Sequence, residues 1–244
     1  MFRRLTVSLV LAAAATTAVT TTAATPALAT GDRPAPRGVG TQSVAGIAQI
    51  LQTAYSFYKS SASGGLSLEA ATAQIIAAIN SAKAEIISHI DAVAIADARA
   101  CSTSAVINFA DFEALTPDNK QAFALNATSC VALADALLGA VSDLAAVDQL
   151  GFAVNAVGPI ALITRSRTGL TNPALISTLI HANNLVISRL APHCHTVRDV
   201  EGVVEWFCTA YNGQIGRESN RTSSENQATA NTSRPVAKAA LTQL

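Results

Sequence analysis

The sequence predicts a mainly α-helical, disulfide-stapled bundle of about five helices, with a small β-hairpin near the C-terminus. Three observations predict this class. Apolar residues recur at helical spacing along most of the chain, aromatic residues make up only 5% of it while alanine is abundant, and it contains four cysteines. Alanine is the strongest helix former, and four cysteines in an exported chain indicate two disulfides.

The N-terminus has the pattern of a secretory signal peptide, with Arg3 and Arg4 ahead of a short apolar run and a small-x-small sequence that ends at Ala29. The apolar run is shorter than the roughly 20 residues of a membrane-spanning helix. We therefore expect secretion with cleavage after Ala29. Residues 30–42 should form a flexible lead-in, residues 43–215 the bundle domain, and residues 216–244 a disordered polar tail, because the tail has few large apolar residues.

The charge balance predicts no nucleic-acid partner and no docking on anionic lipid headgroups. Residues 43–215 contain eight Lys or Arg against 13 Asp or Glu. Binding of nucleic acid requires a clustered basic face, and docking to anionic lipid headgroups requires a polybasic patch. Neither feature occurs here.

The first two helices follow from periodicity and capping. The first covers residues 43–60 and ends at a Ser/Gly-rich break. The second begins after Ser67, a good N-cap with Glu69 in the first turn. It continues to Phe112 past a soft spot at residues 102–104. Its seam of apolar residues consists of Ile75, Ile79, Ala82, Ile86, Ile90 and Val93.

Two proline signals open the later helices. Thr116-Pro117 predicts a third helix that ends near Gly151. Asn172-Pro173 predicts the last helix, which ends at Pro192. The apolar seam of the third helix consists of Phe123, Cys130, Leu133, Leu137, Val141 and Leu144.

Residues 150–164 are almost entirely apolar, and Gly158-Pro159 predicts a kink or an interruption. We interpret the stretch as the central helix of the bundle, shielded on all sides. The alternative is a segment that leaves the bundle and enters a bilayer, as in helical pore-forming toxins. With Asn155 inside it and about 15 residues, it is short for spanning alone.

The disulfide pairing follows from hairpin geometry. If the helices on either side of Leu115-Thr116 are antiparallel, residues whose numbers sum to about 231 lie opposite each other. Cys101 and Cys130 meet this condition, and both lie on an apolar seam. We therefore pair Cys101 with Cys130, which leaves Cys194 to pair with Cys208.

The second disulfide decides between two structures for residues 196–211. A helix capped by Thr196 and Asp199 fits the local pattern, but it would hold the two cysteines about 16 Å apart. A hairpin that turns at Glu201-Gly202 brings them together, and the strand residues are β-favouring. We favour the hairpin.

The cluster His193-Cys194-His195 suggests metal binding, but a zinc site needs about four ligands. With Cys194 oxidised and the histidines in a loop pointing in different directions, we interpret the cluster as a disulfide with two solvated histidines. Glu85 and His89, with Asp91 nearby, are interpreted as a surface ion pair.

The remaining polar residues are assigned to solvated positions. His181 should lie on an exposed or half-buried helix face. The carboxylate pairs Asp111/Glu113 and Asp143/Asp148 are spaced like solvated faces. The sequence has no G-x-S-x-G elbow and no phosphate-binding loop. We therefore predict no catalytic residue, no metal and no cofactor.

These observations favour a secreted, non-enzymatic helical protein that acts by surface interaction with an extracellular protein or a membrane surface. In this hypothesis it is a binding module, with membrane activity as one version. The alternative is a secreted hydrolase whose active site lacks a recognisable short motif.

Overall fold

The computed structural model describes residues 41–198, 202 and 204–244, and the side chains from residue 46 onward. The predicted signal peptide and residues 30–40 lie outside this part of the chain. The described residues form nine α-helices, a short 3₁₀ helix at Phe112–Ala114, and three strands. In chain order these are α1 Thr41–Ala62, α2 Leu68–Ser81, α3 Lys83–Asp91, α4 Ala96–Phe109, α5 Pro117–Ala140, α6 Leu144–Arg167, α7 Pro173–Arg189, β1 His193–Arg198, β2 Val204–Thr209, β3 Ile215–Glu218, α8 Arg221–Ala228 and α9 Arg234–Leu241.

The helix α6 lies at the centre of the bundle and contacts α1 to α5, α7 and α9. Apart from Gln149, every residue from 146 to 164 is buried. The prediction of a central buried helix is therefore confirmed. The helix is not interrupted at Gly158-Pro159, since it continues through Pro159 to Arg167.

The prediction of about five helices is not confirmed, because the second predicted helix is divided into three and α8 and α9 form in the predicted tail; the third predicted helix also ends early. The second is split at Ala82 and again over residues 92–95, and the expected soft spot at residues 102–104 lies inside α4. Its seam is nevertheless buried throughout. The third ends at Ala140, and Asp143 caps a new helix by accepting a hydrogen bond from the Ala145 backbone N–H (3.1 Å).

The buried face of α5 differs from the prediction by about one residue. The predicted residues Phe123, Leu133 and Leu137 are only half-buried. Half of the fully buried residues are alanine, whose small side chains allow α5 to lie close against α6. The fully buried face consists of Ala124, Ala127, Cys130, Val131, Ala134 and Leu138.

The predicted helix starts are present. The Ser67 side chain accepts a hydrogen bond from the Ala70 N–H, and Thr116 accepts one from the Asn119 N–H. Asn172 precedes α7 as predicted, but its amide donates to the Tyr58 hydroxyl (3.0 Å) and the Ser166 hydroxyl (2.8 Å) instead of capping the helix.

Both predicted disulfides are present. Cys101 pairs with Cys130 across α4 and α5, with 5.6 Å between their Cα atoms, and Cys194 pairs with Cys208. The second bridge lies in the predicted hairpin, where these two residues are direct partners in the antiparallel register of β1 and β2. Glu201 of the predicted turn lies outside the described residues, and Gly202 has a φ of +83°, a value that favours glycine.

The C-terminal segment differs from the predicted disordered tail. In place of disorder it forms β3, α8 and α9, and β3 adds a third antiparallel strand beside β2. Val236, Ala237 and Ala240 are buried, where α9 packs against α1, α6 and α7. These small side chains are buried because α9 packs against three helices, so the lack of large apolar residues did not indicate disorder.

Candidate functional site

The α5–α6 hairpin, residues 117–167, is the most distinctive feature of the bundle. Both helices are long and apolar enough, by length and composition, to cross a membrane. They are consecutive and joined by only three residues. The most apolar 18-residue window is 94% buried in α6 but only 33% buried in α5. A core helix of a soluble protein meets the same criteria. The residues that surround α6 are therefore described next.

One face of α6 combines small and polar residues against α7. Gly151, Asn155 and Gly158 recur at helical spacing along it. The Asn155 Nδ2 donates to Asn183 Oδ1 of α7 (2.8 Å), and neither residue is exposed to solvent. This buried amide pair fixes the register between the two helices.

Gly158 allows a close approach of α1 and α7 to α6. A Cβ atom added at this residue would collide with the hydroxyl of Tyr55 and would lie 2.9 Å from Cδ2 of Leu179. The hydroxyl of Tyr55 is buried without a hydrogen-bond partner among the described residues. Burial also raises the pKa of Tyr55 far above its usual range.

Four buried polar atoms without a partner among the described residues lie around residues 151–158 of α6. They are the Tyr55 hydroxyl opposite Gly158, the Ser233 hydroxyl opposite Gly151, Asn155 Oδ1, and Nε2 of His89, whose ring stacks on Phe152. A buried polar atom without a partner costs about 1–3 kcal/mol. The packing around the middle of α6 is therefore less favourable than a purely apolar interface.

Asp148 joins α6 to the C-terminal segment. Its carboxylate accepts hydrogen bonds from the Tyr211 hydroxyl (2.7 Å) and from the Ser233 backbone N–H (2.5 Å). Burial raises the pKa of Asp148, while these two hydrogen bonds and the nearby charge of His89 oppose the increase. The prediction of a solvated position is therefore wrong for Asp148, which is buried, whereas Asp143 is exposed at the start of α6.

The predicted ion pair of His89 with Glu85 is absent from the described residues. Glu85 is exposed, whereas the ring of His89 stacks on Phe152 with 4.7 Å between ring centroids. Burial lowers the pKa of His89, and the charge of Asp148 partly opposes this effect. His89 therefore belongs to the surroundings of α6.

His181 lies on an exposed face, as predicted. Its side chain is 63% exposed, and its Nδ1 lies 2.7 Å from Oδ1 of Asp135 on α5. Glu113 forms ion pairs with Lys120 (3.0 Å) and with Arg167 (3.1 Å). The two ion pairs of Glu113 join the start of α5 and the end of α6 at the bundle surface.

The cluster at residues 193–195 differs from the prediction in one respect. Cys194 is in a disulfide as expected, but the two histidines lie in strand β1 and not in a loop. Successive side chains of a strand alternate between its faces. His193 and His195 therefore share a face instead of pointing in different directions.

The bundle surface also has shallow concavities of about 270–460 Å³. One lies beside the Cys101–Cys130 disulfide, and another, between α1 and α2, is lined by Ile50 and Phe57. His89 and His181 line none of these four. The described residues contain no group of three or more His, Cys, Asp or Glu placed to hold a metal ion.

Sequence reasoning missed the polar contacts of α6. Asn155 interrupts an apolar run, and Asn183 lies on the same face of α7 as Leu179 and Val186, so their burial was detectable from periodicity. Nothing local connects Asp148 with Tyr211 or Ser233, which follow it by 63 and 85 residues.

Comparisons of the chain with models of protein families, with curated proteins and with solved structures found no match.

Proposed function

We propose that this chain is an exported, non-enzymatic protein that acts on lipid bilayers through its α5–α6 hairpin. The observation that carries the proposal is a pair of consecutive helices of membrane-crossing length and composition, of which α6 is almost completely enclosed by the bundle. A mostly apolar helix of this length suits either a protein core or a bilayer.

The length of the hairpin supports this proposal. Each of its helices has 24 residues, which corresponds to about 36 Å at 1.5 Å per residue. The hydrocarbon core of a bilayer is about 30 Å thick. Both helices are therefore long enough to cross it, whereas the apolar stretch at residues 150–164 is short by itself.

The contacts around α6 also favour release of the hairpin. Four buried polar atoms around it have no partner within the described residues, so leaving the bundle costs less than leaving a purely apolar core. Burial raises the pKa of Asp148 and lowers that of His89. The raised pKa brings protonation of the Asp148 carboxyl on the hairpin closer to neutral pH, and we therefore expect stronger activity at acidic pH.

A vesicle experiment tests the proposal. Phosphatidylcholine vesicles loaded with a quenched dye should leak on addition of micromolar protein, more at pH 5 than at pH 7. To locate α6, Phe152→Trp is introduced together with Trp206→Phe, since Trp206 is the single tryptophan of the chain. Lipids with brominated acyl chains should then quench the fluorescence of the new indole.

The unmodified chain is the matched control, because its tryptophan lies in β2 and should not be quenched. Absence of leakage at both pH values would exclude the membrane activity, and equal quenching of the two chains would exclude insertion through α6.

Export is part of the same proposal. Two disulfides are compatible with an oxidising compartment, and the N-terminal sequence supports a cleaved signal. N-terminal sequencing of protein collected from culture medium should begin at Thr30. Recovery of full-length protein only from cells would contradict secretion.

A secreted hydrolase is the second candidate, and one contact favours it. The Asp135 carboxylate lies 2.7 Å from His181, as in sites where a carboxylate orients a catalytic imidazole. Turnover of p-nitrophenyl esters that is lost in His181→Ala would support this activity. Equal rates for both chains would remove it.

A further inference from the structure

The three-stranded sheet has two different faces. One face carries Cys194, Cys208 and Gly216 and is covered by α8, whose Ser224 hydroxyl donates to the Trp206 carbonyl (2.8 Å). The opposite face carries His193 and His195, and both side chains are exposed. The alternation of side chains along β1 places the two imidazoles beside each other on this open face.

We propose that His193 and His195 form a two-histidine site for a divalent transition metal such as Cu²⁺, Ni²⁺ or Zn²⁺. Their ring centroids are 6.3 Å apart. A metal bonded to one nitrogen of each ring at about 2.1 Å, at a near-tetrahedral angle, places the centroids about 5 Å apart. Small rotations about the side-chain bonds close this difference, because both rings lie at the surface.

The backbone of the site is rigid. Cys194 lies between the two histidines, and its disulfide to Cys208 fixes the register of β1 against β2. The ring of His195 also packs against Phe207 of β2, with 5.3 Å between centroids. Two ligands held on a cross-linked strand pair lose less conformational freedom on binding than two ligands in a loop.

The ligand chemistry selects the class of metal. Imidazole nitrogen suits Cu²⁺, Ni²⁺ and Zn²⁺, whereas Ca²⁺ and Mg²⁺ require oxygen ligands. With two protein ligands, solvent completes the coordination of the ion. Affinity should follow the usual order for these ions, with Cu²⁺ bound most tightly.

This site goes beyond the proposed membrane activity and does not depend on it. The α5–α6 hairpin and the open sheet face share no residue. Metal titration without lipid therefore tests the histidine pair alone.

The experiment uses the full mature chain without an affinity tag, after dialysis against a chelator. Titration calorimetry with Cu²⁺ should give one ion per chain, and electron paramagnetic resonance should show coupling to two nitrogens. His193→Ala and His195→Ala should each weaken binding at least about tenfold. His181→Ala is the matched control, since that ring is 63% exposed on α7, and it should bind Cu²⁺ like the unmodified chain.

Far-UV circular dichroism confirms that each variant is folded. The site is disproved if the unmodified chain does not bind Cu²⁺ in a one-to-one ratio, or if the double variant His193→Ala/His195→Ala keeps the original affinity. Loss of binding in His181→Ala would place the site elsewhere and would equally overturn the inference.

Discussion

Replacement of Gly158 by alanine tests how closely α1 and α7 approach the central helix. In a helix the change is worth about 1 kcal/mol in favour of alanine. The new Cβ, however, would collide with the hydroxyl of Tyr55 and would lie 2.9 Å from Leu179. Overpacking of a core costs about 1–3 kcal/mol. We therefore expect the free energy of unfolding to fall by about 1 kcal/mol, with overpacking outweighing helix propensity.

Gly139→Ala is the matched control, because an added Cβ at this helical position in α5 meets no atom within 4 Å. Here only the propensity term acts, so we expect stabilisation of about 0.5 kcal/mol. Replacement of glycine by alanine should therefore lower the free energy of unfolding at residue 158 and raise it at residue 139. Urea unfolding followed by far-UV circular dichroism measures both values.

A double-mutant cycle identifies the cause. Tyr55→Phe removes a buried hydroxyl without a partner among the described residues, and we expect it to stabilise the chain by about 1 kcal/mol. It also removes the hydroxyl with which the Cβ introduced by Gly158→Ala would collide. The free energy of unfolding of the double variant should therefore be higher than the sum of the two single effects predicts. If Gly158→Ala stabilised the chain as much as Gly139→Ala, the tight packing around α6 would be refuted.

Three further predictions concern the supports of α6. The Cys101–Cys130 bridge closes a loop of 29 residues. Cys101→Ala/Cys130→Ala should therefore lower the free energy of unfolding by about 3.6 kcal/mol, because the unfolded chain gains conformational entropy. A decrease of less than about 1 kcal/mol in urea unfolding would contradict this explanation. Burial lowers the pKa of His89 from its ordinary value of 6.5, so the unfolded chain binds the proton first and stability should fall as the pH drops below that value. His89→Phe should flatten this slope between pH 7 and 5.5, and an unchanged slope would assign it to another group. Tyr211→Phe removes a hydrogen bond to the buried Asp148 carboxylate and should cost about 1.5–3 kcal/mol in thermal or urea unfolding, whereas no loss would mean that solvent replaces the hydroxyl.

Local chemistry predicted the helical class and several helix starts. Ser67 and Thr116 cap their helices through side-chain hydrogen bonds to residues three positions later. Such contacts depend only on neighbours in the chain. The pairing of Cys101 with Cys130 was predictable because two antiparallel helices joined by a short turn have a fixed register. The breaks inside the predicted second helix were missed, since Ala82 and residues 92–95 have no glycine or proline nearby. The end of the third helix at Ala140 was missed although Gly139 precedes it.

The candidate site was less predictable, because its members are distant in sequence. Burial of residues 150–164 followed from their composition. The groups that contact α6 did not, since Tyr55, His89 and Ser233 belong to three different helices or their caps. The expected orientation of His193 and His195 was wrong because these residues were placed in a loop. In a strand, side chains two residues apart lie on the same face.

The sequence by itself determined that the chain forms helices, where many of them begin, and that its four cysteines form two bridges. The tertiary structure decided which face of α5 is buried, which polar groups contact α6, and that the polar C-terminal segment folds. The physical reason is the range of the interactions. Capping and periodicity act within about four residues, whereas burial depends on which distant surfaces meet, and alanine-rich helices fit closely in more than one rotation.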